Sequence, residues 1–134
     1  MNFFFDNNLP QRLAKSLNEL VSPDGHYVSH LRDKYPADTS DVDWLTSLAE
    51  EDDGPWIIIS GDMRISRTKA ERRAWLDSGH IIFFLSKGWT NIEPYTQLSK
   101  LIKMFPKILN MAERANPGDG FIVPPSANKP KKME

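Results

Sequence analysis

Apolar residues fall along this chain in two patterns. Phe3–Phe5, Trp56–Ile59 and Ile81–Leu85 are unbroken apolar runs, the mark of strands buried on both faces. The β-rich stretch His26–Leu31 reads as a further strand, and Phe121–Val123 as a last short one. Between the runs, apolar positions recur at helical spacing. Leu13, Leu17 and Leu20 follow Pro10, a residue favoured in a first helical turn, and that helix ends before the turn Ser22-Pro23-Asp24-Gly25. Ser40 predicts an N-cap for a helix from Asp41 to about Glu51, with Trp44, Leu45 and Leu48 on its apolar face and Asp52-Asp53-Gly54-Pro55 breaking it. Thr68-x-x-Glu71 matches a capping box for a helix that Gly79 ends near Ser78. A long helical stretch runs from about Glu93 to Arg114, with Pro94 near its start and Pro106 as an expected kink.

Strands alternating with helices predict an α/β fold, a mostly parallel sheet covered on both faces. Ligands of such sheets sit beyond the carboxyl ends of the strands. Asp6 follows the first strand and Asp62 the third, so both should project at one rim.

Length and composition narrow the class. With 134 residues and a 40% apolar share, the chain is expected to form one globular domain over residues 1–123, followed by a polar, mobile tail over 124–134. No apolar stretch approaches a membrane span, and Asp6 interrupts the N-terminal run as no signal peptide would. Cysteine is absent, which removes disulfides, thiolate metal sites and cysteine nucleophiles; a cytoplasmic protein is the simplest expectation. Net charge is −1, but unevenly spread: residues 33–53 hold eight acids against one base, residues 64–73 five bases against one acid.

Nucleophile elbows and glycine-rich phosphate cradles are missing. His26 and His30 share a strand face, where packing or hydrogen bonding outweighs a metal role. The carboxylates carry more. A hard divalent cation takes carboxylate oxygens completed by water, and Asp6 and Asp62 offer two. Asp41 or Asp43 offers a third, and three acids in one pocket repel unless a cation offsets them. Each acid also has an ordinary alternative as a helix cap or first-turn residue.

"FFDNNLPQRLAKSL", "HLRDKYPADTSDVDWL", "WIIISGDMRI" and "IIFFLSKGWTN", in that order, resemble the PIN-like nuclease family, and most nearly the VapC-type toxins of bacterial toxin–antitoxin pairs. The resemblance spans about residues 3–123. It implies a three-layer α/β/α sandwich whose acids bind Mg²⁺ or Mn²⁺ and cleave RNA. Carried over, those acids are Asp6, Asp41 (with Asp43 as the other candidate) and Asp62, with Asp6, Asp41 and Asp62 as metal ligands. Many relatives carry another acid two residues further on, where this chain has Arg64. Asn7, Asn8, Ser60, Arg64, Arg67 and Lys87 are the expected contacts to RNA, and Trp89 either stacks a base or anchors its loop. The expected partners are RNA, a cognate antitoxin protein and, through the long apolar helix, a second copy of the chain. A PIN-like interaction module without activity is the main alternative, with Arg64 as its support. A phosphatase-like domain is the weaker one, since "DNN" lacks a second acid two residues on.

Overall fold

The computed structural model describes residues 1–51, 55–126 and 129–133. Asp52, Asp53 and Gly54 of the expected helix break lie outside the described residues. The chain forms an α/β/α sandwich around a six-stranded sheet. Its strands are β1 (Asn2–Phe5), β2 (Tyr27–His30), β3 (Ile57–Ser60), β4 (Ile81–Leu85), β5 (Gly120–Val123) and β6 (Lys131–Lys132), in the order β2-β1-β3-β4-β5-β6. The first five run parallel, and β6 returns antiparallel to β5 with Lys131 opposite Ile122. Part of the polar tail is therefore tied to the sheet edge through backbone pairing.

The helices are α1 (Gln11–Val21), α2 (Leu31–Lys34), α3 (Asp41–Ala49), α4 (Arg64–Arg67), α5 (Lys69–Ser78) and α6 (Pro94–Arg114). Successive strand residues point to opposite faces, and each face has its own cover. Phe3, Phe5, Ile57, Ile59 and Phe83 pack with Leu13 and Leu17 of α1 and Leu101 and Ile108 of α6. Phe4, Ile58, Ile82 and Phe84 pack with Leu31, Trp44, Leu45, Ile65 and Trp75 on the opposite face. Both faces being buried is why the strands read as continuous apolar runs.

Two local features depart from the sequence reading. His30 ends β2 and becomes the cap of α2: its Nδ1 accepts the Arg32 amide while its own amide donates to Asp33. α4 is a single turn without an apolar period, and its presence undoes the expected capping box. The Thr68 amide is spent on the Arg64 carbonyl at 2.7 Å, so Glu71 has no N-cap amide to accept and Thr68 makes no side-chain cap bond. α6 runs through Pro106 to Arg114 as the one long helix expected from the sequence.

Gly120 lets α5 lie tight on the sheet. A Cβ at that position would stand 2.7 Å from Trp75 Cη2 and 3.1 Å from Met133 Sδ. Gly120→Ala is expected to cost about 1–3 kcal/mol through overpacking, read as a lower midpoint in urea unfolding with an unchanged slope.

Candidate active site

The strand order reverses direction between β1 and β3, which makes their carboxyl ends the switch point where an open parallel sheet leaves a crevice. A cleft of about 250 Å³ opens there, lined by Asp6, Asn7, Asn8, Asp41, Asp62 and Arg64 together with the loop from Ala37 to Ser40.

Asp6 is held on the rigid end of β1. Its amide donates to the Ile59 carbonyl, so the residue stays in sheet register after the strand proper ends. One carboxylate oxygen accepts the Ser60 hydroxyl; the other accepts the amides of Asn8 at 3.2 Å and Gly61 at 3.3 Å. Only 2% of the residue is exposed. Burial outweighs these three donors and pushes the Asp6 carboxyl up to about 6, with the nearby charge of Asp41 adding to the rise.

Ser60 joins the two strand ends. While its hydroxyl donates to Asp6, its oxygen accepts the Asp62 amide at 3.0 Å. Asp62 in turn is wrapped by Arg64, whose backbone amide and Nε reach Oδ1 at 2.9 Å and whose Nη2 reaches Oδ2 at 2.8 Å. That guanidinium holds the Asp62 carboxyl below its ordinary value.

Asp41 enters from α3. It lies three residues before the buried Trp44, on the same helical face, and its Oδ1 accepts the indole N–H at 2.9 Å. Burial raises its carboxyl, and the Asp62 charge adds to the rise. Asp43, two residues on and so about 160° round the helix from Asp41, is exposed and outside the cleft lining, where its amide completes the Ser40 cap.

The expected RNA contacts divide. Asn8 and Arg64 line the cleft. Asn7 also lines it, but its amide is occupied: Oδ1 accepts Arg32 Nε at 2.8 Å and Nδ2 donates to Ala37, tying down the loop over the site. Ser60 is fully buried beneath the carboxylates. Arg67 and Lys87 are exposed and lie outside the lining. Trp89 is a loop anchor, buried with its indole N–H on the Val123 carbonyl at 2.7 Å, and has no face free for a base. His26 and His30 form no pair: His30 uses both ring nitrogens, one against Leu9 and one under Arg32, while His26 packs beside Phe3 and Phe105. Asp38 lines the cleft and was not singled out from the sequence, where it reads only as one of eight acids in a loop and helix start.

Among the described residues, no three acids or histidines close around one point as a finished metal cage. The donor chemistry still fits a hard divalent cation. Three carboxylates from three elements face one polar cleft, two of them with raised pKa values that a cation would relieve.

Comparison with curated proteins and with solved structures gave no match. A family model described as a PIN-like domain matches residues 1–87, from β1 through β4 and with Asp6, Asp38, Asp41 and Asp62 of the cleft. On that match, over more than half of its length, the chain belongs to the PIN-like domain family.

Proposed function

We propose that this protein is a divalent-metal-dependent endoribonuclease, with Asp6, Asp41 and Asp62 holding Mg²⁺ or Mn²⁺ in the cleft. The observation that carries the reading is the convergence of those acids from β1, α3 and the β3–α4 junction on the switch point of a nuclease-type fold. A cation held by these three carboxylates would lower the pKa of water bound to it and offset charge on the scissile phosphate. Ser60 keeps Asp6 and Asp62 in fixed relation through its two hydrogen bonds. Arg64, at the cleft lip with Nε and Nη2 on Asp62, adds an exposed positive charge beside the path of the phosphate. Arg67 and Lys87 contribute positive charge outside the cleft, where they steer RNA rather than grip the reacting phosphate.

No histidine lines the cleft among the described residues. Attack by water, rather than by the neighbouring 2′-hydroxyl with imidazole help, is therefore the route these side chains serve. The products should carry 3′-hydroxyl and 5′-phosphate ends. The test is end-group analysis of a defined single-stranded RNA incubated with the purified chain in Mn²⁺, beside EDTA and a DNA of the same sequence. Products ending in 2′,3′-cyclic phosphate, or cleavage that persists in EDTA, would contradict the proposal, and equal cutting of DNA would remove its RNA selectivity.

The narrower role, a toxin neutralised by a cognate antitoxin protein, is supported by the resemblance of the ordered motifs. It predicts growth arrest on induced expression in a bacterial host, absent for Asp6→Asn. A homodimer through α6 is supported by exposed Tyr95 and Ile102, seven residues apart on that helix.

A further inference from the structure

The contact between Asp62 and Arg64 stands where a cation would. Arg64 engages both oxygens of the carboxylate, at 2.9 and 2.8 Å, and its side chain is 80% exposed against 8% for Asp62. A solvent-side guanidinium thus covers the open face of a nearly buried carboxylate. Any divalent ion taken up by Asp62 needs that face, and the two partners exclude each other.

A second feature lies beside it. Glu71, in the first turn of α5, has its Oε2 buried and without a hydrogen-bond partner among the described residues. α5 packs on both α3 and α4, and the Glu71 charge is felt by Asp41 and by Arg64. A buried carboxylate oxygen left without a donor is costly, and a guanidinium released from Asp62, whose charge already feels Glu71, could supply one.

We propose that Arg64 is a two-seat latch, covering Asp62 while the site is free of divalent cation and turning to Glu71 when Asp62 takes a cation up. The inference rests on the reading of the cleft as a cation site. It makes Arg64 a positioning residue whose place reports metal occupancy, and Glu71 a residue that acts on the metal site chiefly through Arg64, beside a smaller direct field at Asp41.

The test is Mn²⁺ affinity by calorimetry on the full chain, for wild type, Arg64→Gln, Arg64→Lys, Glu71→Gln and the Arg64→Gln/Glu71→Gln double variant, each checked by thermal melting. Both Arg64 variants should bind Mn²⁺ roughly threefold to tenfold tighter, because lysine keeps the charge but cannot span both oxygens. Glu71→Gln should weaken binding by about threefold in the wild-type background, and by clearly less once Arg64 is replaced, where only its direct field at Asp41 is left. A gain in Arg64→Gln without one in Arg64→Lys would reduce Arg64 to a field effect and overturn the latch. Equal weakening by Glu71→Gln in both backgrounds would overturn it too, by showing that Glu71 acts on the cation directly. Equal Mn²⁺ affinity in wild type and Arg64 variants defeats the latch alone; no Mn²⁺ binding in any of the five defeats the cation site itself, and the latch with it.

Discussion

Asp6→Asn is expected to lose at least about 10²-fold in RNA cleavage while gaining stability at neutral pH. Both effects come from one property. Asp6 is a buried carboxylate that the fold tolerates rather than favours, with its pKa raised from 3.8 to about 6. In the unfolded chain it releases its proton near 3.8; in the folded chain it keeps it to about 6. The folded state therefore binds more protons across that window, and stability falls as pH rises through it. Above about pH 6 the ionised Asp6 costs the fold on the order of 2–3 kcal/mol, from its raised pKa. Asparagine carries no such charge and can still accept the Asn8 and Gly61 amides. Denaturant titrations in EDTA should show the variant more stable by up to about 2 kcal/mol at pH 7.5, with the advantage fading to nothing near pH 4. A variant no more stable at pH 7.5 than at pH 4 would mean that the charge of Asp6 is already offset in the metal-free protein.

The second large effect concerns Trp44, which joins the core to the site. Its side chain is fully buried and stacks on Phe4 with ring centroids 4.9 Å apart. Trp44→Ala should cost about 3–5 kcal/mol, since a large cavity would open between α3 and the sheet. Trp44→Phe separates packing from chemistry. The ring stays and the indole N–H that holds Asp41 is lost. That variant should lose about 1–2 kcal/mol of stability yet at least about tenfold in cleavage, because the carboxylate is no longer aimed into the cleft. Full activity in a folded Trp44→Phe protein would show that Asp41 needs no such support.

Much of this architecture is legible in the sequence. Ile57–Ser60 and Ile81–Leu85 are unbroken runs because both faces of the sheet are covered, and a pattern so uniform leaves little room for another reading. Asp6 and Asp62 were placed at one rim because parallel strands deliver their carboxyl ends to the same edge. That Asp41 rather than Asp43 lines the cleft was within reach as well: Asp41 lies three residues before Trp44 and shares its buried face, which Asp43 does not. Other features depend on partners distant in sequence or on rivalry for a single group. Glu71 lost its expected capping role because α4 had already claimed the Thr68 amide. The grip of Arg64 on Asp62 is local in sequence, but only the depth of Asp62 beneath the lip makes it a cover. β6 follows from backbone pairing by a lysine-rich segment whose composition argues for none.

The most direct test of the central claim, that the cleft carboxylates carry the chemistry, is the single-turnover cleavage rate of an end-labelled single-stranded RNA in Mn²⁺. Wild type would be compared with Asp6→Asn, Asp41→Asn and Asp43→Asn, each confirmed to be folded. The arrangement at the switch point predicts cleavage by wild type and by Asp43→Asn, and its loss in Asp6→Asn, in Asp41→Asn and in EDTA. Equal rates in wild type and Asp41→Asn, or loss in Asp43→Asn with Asp41→Asn active, would contradict it.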